Sequence, residues 1–250
     1  MNKRRQAIAD IVNQLGEIHI RELKSMFPSV SEVTLRKDLQ VLDEGNQLVR
    51  IHGGARSIDD VTLKNSNFNT RTLLHQSEKA CIGEKAAKLL RAGMSAYISS
   101  GSTCAELAKR LPQGPLQIFT DGISIALETP VSPDIAVELL GGVVNRNLMR
   151  LTGPSVLAAL DTLYFDFAFF GTMGFNKQVG FSLATPAIAA SCFKAIEHSR
   201  QAVILMDSSK VNHMCTARNI PFKSVDIVVS DGNLPDDVAA FLRDNDITVL

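Results

Sequence analysis

The first 45 residues contain three stretches in which apolar residues recur at helical spacing. In the first stretch the apolar positions run from Ile8 to Leu15, and Gly16 follows as a helix-ending residue. Pro28 ends the second helix because proline cannot continue it, and Ser31 is a suitable N-cap for the third. The second and third helices are predicted over residues 20–27 and 31–44.

A strand hairpin is predicted directly after the third helix. In "QLVRIHGGARSI" two short strand-like runs flank Gly53-Gly54, a dipeptide suited to a two-residue turn. These elements predict a small domain over residues 1–56. The following stretch, "SIDDVTLKNSNFNT", is polar and lacks periodicity, so residues 57–70 are predicted to be a linker.

From about residue 78 onward, apolar strand-like runs alternate with helical patterns. This alternation predicts a mostly parallel sheet covered by helices on both faces, so the fold class is α/β and the larger domain spans residues 71–250. The predicted strands are 94–99, 116–120, 135–140, 167–171, 202–206, 227–230 and 247–250. The predicted helices are 78–91, 102–111, 122–128, 154–160, 185–199 and 235–243.

The composition is that of a globular protein, with 45% hydrophobic and 21% charged residues. No apolar run reaches membrane-spanning length, and the basic N-terminus lacks the apolar core of a signal peptide. The four cysteines form no CxxC pair, which is typical of reduced thiols, so a cytoplasmic protein is expected. His75, His198 and His213 lack ligand-like spacing, and we therefore expect neither a metal nor a cofactor.

The formal net charge is zero, and the basic residues matter through their placement. Residues 1–56 hold nine Lys/Arg against seven Asp/Glu, an excess too small to indicate nucleic-acid binding by itself. On the third helix, however, Leu35, Leu39 and Leu42 form one stripe, and cationic and polar residues occupy the other face.

The polar face of the third helix is chemically matched to DNA. Cations bind phosphates or guanine edges, glutamine reads adenine, and a valine contacts a thymine methyl group. A solvated helix face is the alternative, but the hairpin beside the helix favours DNA binding. The candidate DNA-binding residues are Ser31, Val33, Thr34, Arg36, Lys37, Gln40, Arg50, His52 and Arg56.

These spacings resemble a known family. The pattern from "LRKDL" to "RIHGGA" is similar to the N-terminal winged helix-turn-helix of the DeoR-type bacterial transcription regulators. The resemblance implies that this domain binds a double-stranded DNA operator. One such module buries roughly 600–1,000 Å² of protein surface, which is small for tight specific binding. We therefore expect a homo-oligomer, a dimer or tetramer, that binds repeated half-sites.

In the larger domain, small and polar residues follow the predicted strands. In "YISSGSTCAEL" a strand ends in a Gly/Ser/Thr turn whose N–H and hydroxyl groups suit a phosphate monoester, although serine also caps helices without any ligand. Ligands of open α/β sheets bind at the carboxyl ends of strands, so these loops should converge. The candidate effector-binding residues are Ser99, Ser100, Gly101, Ser102, Thr103, Thr120, Asp121, Gly122, Gly141, Gly171, Asp207, Ser209 and Lys210.

This domain resembles the C-terminal effector domain of the same DeoR-type family, which is similar to ribose-5-phosphate isomerase and glucosamine-6-phosphate deaminase. The resemblance implies a regulator, expected to repress a carbohydrate operon, that is controlled by a phosphorylated sugar. A sugar-phosphate isomerase with an appended helical domain is the alternative, because Asp121 and Asp207 remain as carboxylates near the pocket. A third reading is that the domain binds a protein partner.

Overall fold

The structure is a computed structural model of the 250-residue chain, and it describes residues 3–45, 47–57, 67–215 and 219–250. The chain divides into two compact units, Met1–Ser66 and Asn67–Leu250. None of the helices in these described ranges is long and apolar enough to cross a membrane.

The first unit combines helices with a small antiparallel sheet. Its described elements are α1 (Lys3–Leu15), β1 (Glu17–His19), α2 (Ile20–Met26), α3 (Glu32–Glu44), β2 (Val49–Ile51) and β3 (Gly54–Arg56). The strand order is β1-β3-β2, with Ile18 opposite Ala55 and Arg50 opposite the same residue on the other side. The predicted hairpin is therefore confirmed, and β1 extends it.

The core of this unit lies between the helices and the sheet. Leu35, Leu39 and Leu42 of α3 are buried together with Ile8 and Val12 of α1. Because these residues recur every three or four positions, they share one face of each helix. The leucine stripe predicted for α3 is thus confirmed, and the polar side of the helix remains exposed.

The second unit is built from alternating strands and helices. Its helices are α4 (Phe68–Leu73), α5 (Gln76–Ala87), α6 (Ser102–Ala108), α7 (Ile123–Glu128), α8 (Pro154–Leu160), α9 (Pro186–Glu197) and α10 (Asp236–Asp244). Its strands are β4 (Ser95–Ile98), β5 (Leu116–Thr120), β6 (Ile135–Leu139), β7 (Val143–Asn145), β8 (Arg150–Thr152), β9 (Phe165–Gly171), β10 (Gly174–Asn176), β11 (Gly180–Ser182), β12 (Ser199–Leu205), β13 (Ile227–Val229) and β14 (Thr248–Val249). Single 3-10 turns cover Ser208–Lys210 and Phe222–Ser224.

Among the described residues, the main sheet has seven strands in the order β14-β13-β12-β9-β4-β5-β6, and every adjacent pair is parallel. The chain moves outward in one direction from β4 to β6 and in the other direction from β9 to β14. The strand order therefore reverses between β4 and β9, and ligands of open α/β sheets bind at such a point, beyond the carboxyl ends of the strands.

Helices cover both faces of the main sheet. One face buries Ile98 of β4 and Phe169 of β9 against α5 and α6. The other face buries Tyr97 and Phe170 from the same strands against α8 and α9. Adjacent strand residues point to opposite faces, and with both faces covered the strands appear in sequence as continuous apolar runs.

Some elements differ from the predictions. Strand β12 begins at Ser199 rather than Ala202, because its polar first residues pair with β9. The hairpins β7–β8 and β10–β11 and helix α4 were not predicted. Most of the predicted linker, residues 58–66, lies outside the described residues. Its last residues, 68–70, begin α4, which Asn67 caps through a bond from the Thr70 N–H at 2.9 Å.

Candidate functional site

Helix α3 presents a cationic and polar face to solvent. Ser31 is the N-cap, and its Oγ accepts a hydrogen bond from the Thr34 N–H at 3.2 Å. Arg36 and Lys37 are exposed, as is Val33, whose side chain is 77% exposed. Arg36 and Lys37 are therefore directed away from the core of their own unit.

Most polar side chains of this face interact locally. The Thr34 hydroxyl lies 2.9 Å from the Ser31 hydroxyl. Arg36 lies 3.8 Å from the Glu32 carboxylate, and both side chains are about half exposed. The Gln40 side-chain amide donates to Glu44 at 2.9 Å. Exposed pairs of this kind contribute little to stability, so a DNA phosphate or base edge can replace them at small cost.

A buried carboxylate, which the sequence analysis did not single out, holds α3 against α1. Asp38 is 1% exposed and accepts hydrogen bonds from Arg4 Nε at 2.6 Å and Arg5 Nε at 2.8 Å. Burial alone raises the pKa of Asp38, but the two arginine hydrogen bonds outweigh it and lower the pKa below its usual value. The ionised carboxylate therefore stabilises the docking of α3 on α1.

A lysine closes the turn between α2 and α3. Lys24 donates from Nζ to the carbonyl oxygens of Pro28 at 2.7 Å and Val30 at 2.9 Å. The carbonyl groups near the end of α2 thereby gain a cationic partner, as is common near helix C-termini. This contact sets the path by which the chain enters α3.

The hairpin beside α3 carries the remaining DNA-binding candidates. Arg50 and His52 are exposed. Arg56 is half-buried and donates from Nε to the Glu17 carboxylate at 3.0 Å across the sheet, so a phosphate would have to compete with that carboxylate. At Gly54 a Cβ atom would lie 2.1 Å from the Ile18 carbonyl oxygen, which explains why glycine is required where β3 passes β1.

In the second unit, the loop after β4 contacts the segments after β5 and β7. The Ser100 N–H donates to Asp121 Oδ1 at 3.1 Å, and the Ser100 hydroxyl donates to the Leu148 carbonyl at 3.1 Å. Arg150 forms a fully buried ion pair with Asp121 and is itself 2% exposed. The β7–β8 hairpin, which supplies Leu148 and Arg150, therefore lies across the carboxyl end of β5.

Burial and charge oppose each other at Arg150. Burial lowers the pKa of its guanidinium, but the Asp121 carboxylate outweighs burial and raises the pKa above the ordinary value. The Arg150 guanidinium is thus cationic at neutral pH. Asp121 is among the residues predicted from the sequence, whereas Arg150, which lies 29 residues further along the chain, is not.

Thr120 and Gly122 shape the same loop. The Thr120 hydroxyl donates to the Ile98 carbonyl at 2.5 Å and accepts from the Gly122 N–H at 2.9 Å. A Cβ atom on Gly122 would lie 3.0 Å from the Ser100 Cα. These two residues therefore let the loops after β4 and β5 approach each other.

The rest of the predicted phosphate loop is largely buried. Ser99 is buried, and so are Ser102 and Thr103 at the start of α6. A Cβ atom on Gly101 would lie 3.8 Å from the Cys104 sulfur, and one on Gly171 would lie 3.9 Å from it. The loop after β4 and the end of β9 therefore meet at Cys104. Burial raises the pKa of its thiol to about 12, so it is not a nucleophile at neutral pH.

Asp207, Ser209 and Lys210 follow β12, whose last residue pairs with Gly171. The Asp207 carboxylate accepts from the Ser209 N–H at 3.2 Å, and Lys210 Nζ donates to the Ser209 hydroxyl at 3.1 Å. Asp207 Oδ2 is buried and has no hydrogen-bond partner among the described residues. This group therefore adjoins the carboxyl end of β9, beside the reversal of strand order.

Gly141, unlike most of the other candidate residues, lies on an open part of the surface. It follows the edge strand β6 and is exposed, and nothing lies within 4 Å of a Cβ built on it. As for metal ions, no group of three or more His, Cys, Asp or Glu side chains within the described ranges could hold one.

Two family models match this sequence. Residues 4–61 match a DeoR-like helix-turn-helix domain, and residues 74–232 match a DeoR C terminal sensor domain. The chain belongs to the DeoR family of transcriptional regulators. Membership in this family does not favour the isomerase alternative.

Relatives within the family match over nearly their whole length. The uncharacterized regulator YulB of Bacillus subtilis is 29% identical over 99% of this chain and 95% of its own. A putative aga operon transcriptional repressor of Escherichia coli O157:H7 is 24% identical over 100% and 93%. The L-fucose operon activator of Haemophilus influenzae is 28% identical over 100% of both chains.

Among solved structures, ribose 5-phosphate isomerase A of Methanocaldococcus jannaschii is similar over 53% of each chain, with 17% identity and a TM-score of 0.36. A score of this size does not indicate a shared activity.

Proposed function

We propose that this protein is a cytoplasmic repressor of a carbohydrate-use operon that binds its double-stranded DNA operator as a homo-oligomer. In this proposal α3 enters the major groove and the β2–β3 hairpin contacts the backbone. The observation that carries the proposal is the exposed face of α3, where Arg36 and Lys37 lie opposite a fully buried leucine stripe. Exposed cations on a helix of a helix-turn-helix unit are suited to phosphates and guanine edges.

The first experiment tests the recognition helix. The full chain is titrated against the DNA upstream of its own gene by fluorescence anisotropy at several salt concentrations. Arg36→Ala and Lys37→Ala should each weaken binding, and a lost phosphate contact should reduce the salt slope by about one. Lys88→Ala is the matched control, because Lys88 is an exposed lysine of the second unit paired with Glu84. Unchanged binding by both first-unit variants would show that α3 is not the recognition helix.

We further propose that a phosphorylated sugar binds beyond the carboxyl ends of the strands and controls DNA binding. The convergence of the loops after β4 and β5, with Lys210 beyond β12 on the other side of β9, supports this site. To act as an effector, the sugar must bind two arrangements of the protein with different affinities. In a panel of phosphorylated sugars one should change operator affinity, and Ser102→Ala or Lys210→Ala should abolish the response.

The alternatives predict different results. Turnover of a pentose or hexose phosphate at ordinary enzyme rates would support an isomerase. Increased operon transcription after deletion of the gene is expected for a repressor, whereas decreased transcription would indicate an activator. Light scattering of the purified chain with and without DNA tests the dimer or tetramer.

A further inference from the structure

Helix α4 lies beside the site beyond the strand ends. It packs against α6, the helix that begins with Ser102, and its Phe68 is buried with Cys104 in the same hydrophobic cluster. The Phe68 N–H also donates to the Asn147 carbonyl at 2.7 Å, in the loop between β7 and β8. In the same loop, the Leu148 carbonyl accepts a hydrogen bond from the Ser100 hydroxyl. Helix α4 is therefore attached to both the helix and the hairpin that surround the candidate effector site.

Arg71 extends from α4 to the point where the strand order reverses. Its Nη1 donates to the Met173 sulfur at 3.5 Å, and Met173 lies two residues beyond the end of β9. A thioether is a weak acceptor for a charged guanidinium. Arg71 Nε is buried and has no hydrogen-bond partner among the described residues, and within those residues Arg71 forms no ion pair.

The buried guanidinium of Arg150 acts electrostatically on Arg71, which is itself partly buried. Burial and then repulsion from Arg150 lower the pKa of Arg71. Arg150 has Asp121 as its counter-ion, but its own Nε is also buried without a partner in the described part of the chain. A buried cation without a counter-ion is costly, and a nearby anion removes that cost. The arrangement thus favours an anionic ligand.

The backbone around Arg71 is held in place by Lys79 of α5. Lys79 Nζ donates to the Arg71 carbonyl at 2.6 Å and to the Leu74 carbonyl at 2.5 Å, and Lys79 is itself buried. The chain turns between these residues at His75, which has a left-handed backbone with φ 50°. Lys79 therefore holds the backbone of Arg71 in place, so the guanidinium reaches the site from a defined position.

We infer that Arg71 binds the oxyanion group of the effector directly. A guanidinium binds the oxygens of a phosphate monoester in a bidentate manner, which a lysine cannot reproduce. This inference rests on the proposed function and adds a binding residue to it. Because α4 is the first described element after residues 58–66, a ligand that holds Arg71 also stabilises the chain where it enters the second unit.

Thermal unfolding of the full chain tests the inference with inorganic phosphate as the probe, against chloride at matched ionic strength. Wild type should be stabilised by phosphate in a saturable way, since a ligand that binds only the folded state stabilises it. Arg71→Gln should weaken the phosphate dependence about ten-fold, and Arg71→Lys should restore part of it. Arg91→Gln is the matched control, because Arg91 is exposed and precedes β4, at the opposite end of that strand.

Hydrogen exchange gives a second measurement. Phosphate should slow exchange in residues 67–74, and Arg71→Gln should remove that effect. If Ser102→Ala weakens the phosphate dependence but Arg71→Gln does not, the inference is wrong and the effector site stands. If phosphate stabilises wild type no more than chloride does, the proposed phosphate site and the inference both fail.

Discussion

Asp38 offers the sharpest test of how α3 is held against α1. Replacing Asp38 by Asn removes the charge from two hydrogen bonds to Arg4 and Arg5, each of which contributes about 1.5–3 kcal/mol when one partner is ionised. Both arginine side chains are 31% exposed, so water replaces part of the interaction and the low end applies. An asparagine oxygen keeps one weaker bond of about 1 kcal/mol. We therefore expect Asp38→Asn to lower the free energy of unfolding of the first unit by about 2 kcal/mol.

The pH dependence of this difference follows from the lowered pKa of Asp38. Because the folded pKa lies below the unfolded value of about 3.9, the carboxylate stabilises the fold fully above that value. The stabilisation is lost as the pH falls through the folded pKa. The difference between wild type and Asp38→Asn should therefore be constant from about pH 8 to 5 and shrink below about pH 4.

Hydrogen exchange in increasing urea, read from peptides covering α1 and α3, reports the unfolding of the first unit alone. Asp10→Asn is the control, because Asp10 is an exposed residue of α1 that accepts a bond from Gln6. Equal unfolding free energies for wild type and Asp38→Asn at pH 7 would refute the reasoning. A difference that persisted unchanged at pH 2 would show that it does not come from the carboxylate.

Three further outcomes are expected. Gly83→Ala should destabilise the second unit by about 1–3 kcal/mol or more in urea unfolding, because its Cβ would lie 2.6 Å from backbone atoms of α6. As the control, Gly141→Ala should change the free energy of unfolding little. Cys104 and Cys192 have thiol pKa values that burial raises to about 12, so at pH 8 iodoacetamide should label them only after unfolding, as mass spectrometry will report. Glu17→Gln should raise operator affinity up to about five-fold, because it removes the carboxylate that competes with a DNA phosphate for Arg56. Unchanged or weaker binding would argue against a phosphate contact at Arg56.

The elements with strong periodicity were predictable from the sequence. On α3 the leucines are spaced so that any helix must place them on one face, and the polar side then faces outward whatever the partner. The central strands β4 and β9 appear as apolar runs because helices cover both faces of the sheet. In these segments the local preference for helix or strand agrees with the pattern of burial. The order of the segments along the chain was therefore sufficient to indicate the fold.

The short strands and hairpins were less predictable. Strand β1 has three residues, too few to display an alternation, and it exists because its backbone pairs with β3. The β7–β8 hairpin is mostly exposed apart from Arg150 and Leu151, so its sequence lacks a buried face. Pairing with distant backbone creates these elements.

The sequence by itself determined the two-domain plan, the amphipathic helix α3 and the polar loops at the strand ends, because each depends on neighbouring residues. Only the tertiary structure decided which charged groups meet. Asp38 binds arginines more than 30 residues away, and Asp121 binds Arg150 at a separation of 29 residues. Arg71 lies in a polar stretch whose sequence pattern does not indicate a binding site. It becomes a candidate effector-binding residue because the packing of α4 brings it to the end of β9. Such pairings depend on how elements pack, and a local pattern of residues does not encode them.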